Sequence, residues 1–66
     1  MILEINGESR EITPVSNVRE LLQLLGIAEN QVAVEVNREI IRRADWDRTP
    51  ISDRDHVEIV QFVGGG

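Results

Sequence analysis

The chain opens on a short apolar run, Met1-Ile2-Leu3-Glu4-Ile5, broken by Asn6-Gly7. Asn-Gly between two extended segments is the strongest short hairpin signal, because both residues tolerate the positive φ of a two-residue turn. Glu8 to Ile12 is then the returning strand, with Ile12 facing inward, and Thr13-Pro14 ends the hairpin. Val18, Leu21, Leu22 and Leu25 follow at three- and four-residue spacing, which makes one apolar stripe of a helix about ten residues long. Ser16 or Asn17 can cap its start, because their side-chain oxygens accept from the orphan N–H groups of the first turn. Gly26 stands where a left-handed residue ends a helix.

The rhythm then shifts to alternation. Val32, Val34 and Val36 alternate with Ala33 and Glu35, a strand with one buried face. Asn37-Arg38-Glu39 reads as a polar turn and Ile40-Ile41 as a short strand. Arg42 to Asp53 is polar and irregular apart from Trp46, expected as a lid over the core, and Ile51. The last strand runs from His56 to Val63 and leads into Gly64-Gly65-Gly66. Hairpin, helix, strand, short strand and strand predict an α+β fold, one mixed sheet packed on one main helix. No repeat or low-complexity segment interrupts this order.

Composition narrows the chemistry. A chain of 66 residues holds one domain. It has no cysteine, which removes disulfides, thiolate metal sites and thiol nucleophiles together. His56 is the one histidine, and Asp45, Asp47, Asp53 and Asp55 lack the spacing of a calcium loop, so no metal site is expected. A formal net charge of −5 disfavours nucleic acid as a partner. No apolar run approaches the about 20 residues that span a bilayer, and Met1 to Ile5 lacks the charged leader of a signal peptide. A soluble, cytoplasmic monomer without a bound cofactor is expected.

The three final glycines are the feature that can carry chemistry. Taken alone they fit a flexible tail as well as a working one. Glycine has no Cβ, so such a tail can thread a channel too narrow for other residues. A terminal carboxylate on Gly66 would be open to activation by ATP as an acyl-adenylate, which can then accept sulfur or an amine.

These segments resemble the ThiS family of sulfur carriers of thiamin biosynthesis. The likeness rests on the Asn-Gly hairpin, on Val18-Arg19-Glu20-Leu21-Leu22, on Val32-Ala33-Val34-Glu35-Val36-Asn37 and on the ending Asp55-His56-Val57-Glu58-Ile59-Val60-Gln61-Phe62-Val63-Gly64-Gly65-Gly66. One departure is Arg54-Asp55, where the family often has Gly-Asp. The resemblance implies a β-grasp (ubiquitin-like) domain over residues 1–63 and a flexible glycine tail over 64–66. It implies a carrier and not an enzyme. Gly66 is then the glycine that an E1-like enzyme (ThiF-like) adenylates with ATP and that becomes a thiocarboxylate. A sulfur donor protein supplies the sulfur, and thiazole synthase (ThiG-like) receives it. Gly64 and Gly65 form the tail.

Alternation on the last strand separates Val57 and Ile59, expected in the core, from Val60 and Phe62, expected on the outer face. Ordering a four-residue tail in a channel costs roughly 1–2 kcal/mol per residue, about 4–8 kcal/mol in all. The tail has little side chain with which to recover this, so a separate anchor is expected, formed by Val60, Phe62 and Val63. Two other readings stay open from the residues: a MoaD-like small subunit of molybdopterin synthase, and a non-catalytic β-grasp interaction module.

Overall fold

A computed structural model describes residues 1–62. The first strands, β1 (Ile2–Ile5) and β2 (Glu8–Glu11), form the expected antiparallel hairpin. Asn6 and Gly7 turn it with φ of 51° and 82°, both left-handed, as a two-residue turn that matches strand twist demands. β2 reads Glu-Ser-Arg-Glu and is exposed throughout. Charged side chains on this edge strand discourage pairing with another chain.

Helix α1 spans Val18–Leu25, eight residues, shorter than the expected ten because its caps lie immediately outside it. Asn17 is the N-cap, and its Oδ1 accepts from the Glu20 N–H at 2.9 Å. Glu20 reaches back and accepts from the Ser16 N–H at 2.8 Å, so the two side chains satisfy donors reciprocally. At the other end Gly26, with φ 70°, donates to the Gln23 carbonyl, and the Ile27 N–H donates to Leu22. This pair of bonds is a Schellman closure, which needs a left-handed residue at Gly26.

β3 (Val32–Val36) and β4 (Glu39–Ile41) form a second antiparallel hairpin, and β5 (His56–Gln61) is the last strand. The sheet order is β2-β1-β5-β3-β4. β5 lies in the middle, parallel to β1 and antiparallel to β3. The chain's last strand is thus the spine of the sheet. Val34, Val36, Leu3 and Val57 turn toward α1 and pack with Val18, Leu21 and Leu22. Among the described residues no helix covers the outer face of the sheet, where Ile40, Val60 and Phe62 are exposed.

The segment after β4 is more ordered than its polar sequence predicts. Arg43–Arg48 forms a 3₁₀ helix, and a shorter one spans Glu29–Gln31. Trp46 organises the longer one. It closes the core as expected of a lid, yet is only 1% exposed, with its Nε1–H donating to the Ile41 carbonyl at 3.1 Å. Arg19 covers the indole from outside, its guanidinium 5.6 Å from the ring centroid. Glu29 and Asp47 both pair with that guanidinium and hold its pKa above the ordinary arginine value, the Glu29 hydrogen bond contributing most. One side chain therefore ties α1 to both 3₁₀ segments. Among the described residues no helix is long and apolar enough to cross a membrane.

Candidate functional site

Two asparagines fix the position of β5. Asn6 Nδ2 donates to the Ile59 carbonyl at 3.2 Å, and the Ile59 N–H donates to Asn6 Oδ1 at 2.8 Å. Asn37 works at the start of the strand: its N–H donates to the His56 carbonyl at 2.7 Å, and its Oδ1 accepts from the His56 N–H at 2.9 Å. Both asparagines occupy the first place of a turn, at φ 51°. Beyond β5, the Phe62 N–H donates to the Gln31 carbonyl at 2.7 Å. The strand that leads toward the glycines is therefore held on both flanks up to Phe62.

Its side chains divide as the alternation predicts. Val57 is fully buried and Ile59 half-buried, whereas Val60 and Phe62 are each 56% exposed. The register adds neighbours that the sequence alone did not place. Ala33 stands opposite Val60, Glu35 opposite Glu58, and Ile40, 71% exposed, opposite Glu35. Ala33, Val60, Phe62 and Ile40 thus share the open face, with Glu35 and Glu58 among them. Ile40, Val60 and Phe62 are large apolar side chains exposed together on this face. Ile40 was missed as a member because its place depends on β3–β4 pairing, which a three-residue strand does not announce.

Val63, Gly64, Gly65 and Gly66 lie outside the described residues. His56 is exposed at the strand's start, with Nδ1 3.4 Å from Glu4 Oε2. A groove of about 340 Å³ opens on the helix side, between the end of α1 and the end of β5, lined by Leu24, Leu25, Ile27, Val32, Ile59 and Arg10. Its lining sets aliphatic side chains beside Arg10 and the amides of Asn6 and Gln61, and offers no nucleophile or general base. Among the described residues no three His, Asp or Glu side chains gather as metal ligands would.

The chain matches known proteins along its length. The thiazole synthase of Paramagnetospirillum magneticum is 42% identical over 66 residues, all of this chain but 20% of that protein. The chain therefore spans about a fifth of that relative's length. The sulfur carrier protein ThiS of Bacillus subtilis is 35% identical over 66 residues, covering 98% of this chain and 100% of that one. The crystal structure of the thiamine biosynthesis protein ThiS from Geobacter metallireducens superposes with a TM-score of 0.84 at 39% identity, and each chain is covered completely. That agreement extends the mixed five-stranded sheet and its single main helix to a solved β-grasp relative. With the ThiS family matched over residues 3–66, the chain belongs to the ThiS family.

Proposed function

We propose that this chain is a sulfur carrier of thiamin biosynthesis whose reacting group is the Gly66 carboxylate. The observation that carries this reading is the full-length agreement with ThiS sulfur carriers, in both sequence and fold. In the proposed cycle an E1-like enzyme brings ATP, the carboxylate oxygen attacks the α-phosphorus, and pyrophosphate leaves. Hydrosulfide delivered by a donor protein then attacks the acyl carbon. AMP departs with the oxygen, and a thiocarboxylate remains. Thiazole synthase takes the sulfur. Kinship with a longer thiazole synthase favours that acceptor over a molybdopterin-synthase partner.

The carrier's own residues supply position and grip. A bare carboxylate is a poor electrophile, so activation belongs to the partner, and the carrier must deliver Gly66 to it. Asn6 and Gln31 hold β5 up to Phe62, and in this reading Gly64 to Gly66 enter the partner's channel. Val60 and Phe62 supply apolar contact outside that channel.

Intact mass tests the cycle directly. Incubation with ATP, the ThiF-like enzyme and a sulfur donor should raise the mass by the difference between sulfur and oxygen. Deleting Gly66 should abolish the change while circular dichroism and the unfolding midpoint stay the same. Sulfur transfer that survives the deletion sinks the proposal.

A further inference from the structure

The open face of the sheet contains a like-charge pair in register. Glu35 on β3 stands directly opposite Glu58 on β5. Side chains so placed have Cβ atoms about 4.5–5.5 Å apart, and like charges there oppose folding. Neither carboxylate joins an ion pair among the described residues. The other carboxylate on this part of the face, Glu4, has His56 beside it. A chain with net charge −5 gains no solubility that it lacks from placing two more negative groups in contact. The pair also sits among apolar groups: Ile40 flanks Glu35 across β4, and Val60 follows Glu58 by two residues on the same face.

We propose that this face docks a partner protein by receiving one arginine side chain between Glu35 and Glu58, while Ala33, Ile40, Val60 and Phe62 pack on apolar side chains around it. The inference rests on the sulfur-carrier reading for the partner's identity. Charge complementarity selects a cation, and the surroundings select arginine. Its guanidinium is planar and weakly hydrated, so it can span two carboxylates and lay its flat face on aliphatic or aromatic groups. A lysine ammonium is a compact, strongly hydrated point charge and would lose more on entering an apolar surround. Docking also relieves the repulsion between Glu35 and Glu58, so part of the free chain's instability is returned on binding.

The repulsion gives the proposal two readouts of opposite sign. Glu58→Gln and Glu35→Gln should each raise the unfolding midpoint of the free chain by about 1–4 °C. Each should weaken capture by the ThiF-like enzyme about tenfold or more, measured by calorimetry. Glu8→Gln makes the same change in net charge on the far edge strand and should alter binding by less than about twofold. Equal weakening by Glu8→Gln would reduce the effect to overall charge and overturn the proposal. So would unaltered binding in the Glu35 and Glu58 variants while the wild type is captured and converted. A wild type that gains no sulfur fails the carrier reading instead, so the two failures are distinguishable. Dimers at sedimentation equilibrium that Glu58→Gln dissociates would assign the face to a second copy and also overturn the inference.

Discussion

The side chain of Asn6 stands in for main chain beside Ile59. In a parallel ladder the N–H of a residue meets the main-chain carbonyl of its neighbour. At Ile59 the N–H meets Asn6 Oδ1 instead, at 2.8 Å, and the Asn6 Nδ2–H returns a bond to the Ile59 carbonyl at 3.2 Å. The β1–β5 ladder thereby continues past the point where the first hairpin has turned away. Asn6→Gly keeps the left-handed backbone and removes the clamp. It should cost about 1 kcal/mol, the net contribution of hydrogen bonds whose groups water can also reach. Denaturant unfolding reads the loss, and hydrogen exchange should quicken at Ile59 more than at Val34. Equal protection at Ile59 in both proteins would contradict the clamp.

The two hairpin turns share a backbone but not a sequence. Asn37 and Arg38 have φ of 51° and 71°, close to the 51° and 82° of Asn6 and Gly7. Arg54 also lies at φ 73°. A side chain in this region crowds the following carbonyl, and glycine removes that cost. Part of the gain is lost because glycine frees the unfolded chain. Arg38→Gly and Arg54→Gly should therefore each stabilise by about 0.5–1 kcal/mol, seen as a higher midpoint in thermal unfolding. No gain at either position would mean that the arginine side chains offset the strain through contacts of their own.

Much of this fold was legible because local signals agreed with one another. Asn6-Gly7, the Val18–Leu25 stripe, Gly26 and the Val32–Val36 alternation each specify one element in a few adjacent residues. The exposure of Val60 and Phe62 followed from the same alternation once Glu58 was kept out of the core. The 3₁₀ helix at Arg43–Arg48 was not legible. Its single apolar residue, Trp46, has no periodic partner, and its order comes from tertiary bonds to Ile41 and from Arg19 above the ring. The left-handed φ of Arg54 was not foreseen. Glu35 facing Glu58 was hidden as well, because a cross-strand pair depends on register between segments over twenty residues apart in sequence.

Trp46 should be the costliest single position in the core. It is the largest fully buried side chain, and its indole N–H is satisfied inside. Removing a buried tryptophan side chain costs about 3–5 kcal/mol. Small domains hold about 0.05–0.15 kcal/mol per residue, so Trp46→Ala approaches the whole stability of the chain. The variant should lose cooperative unfolding or melt near room temperature by circular dichroism. Trp46→Phe keeps most of the volume but leaves the Ile41 carbonyl without its donor, and should fall between the two. A Trp46→Ala chain as stable as wild type would show that the loop, not the ring, closes the core.

Val60 and Phe62 should behave in the opposite way. Both are more than half exposed, so little apolar burial is lost when they become polar. Val60→Ser and Phe62→Ser should each change stability by no more than about 0.5 kcal/mol. Binding should respond far more strongly. Anchoring aromatic side chains at interfaces cost about 2 kcal/mol or more on truncation, so Phe62→Ser should weaken capture by the activating enzyme at least tenfold. The conversion of already captured chains should be less affected, because Phe62 lies outside the tail proposed to react. The measurement is therefore a pair: affinity by calorimetry, and thiocarboxylate formation by intact mass at saturating enzyme. Loss of binding with conversion retained at saturation places the grip on the sheet face. Conversion lost at saturation, with affinity unchanged, would place Phe62 in the delivery of Gly66 and remove it from the docking surface.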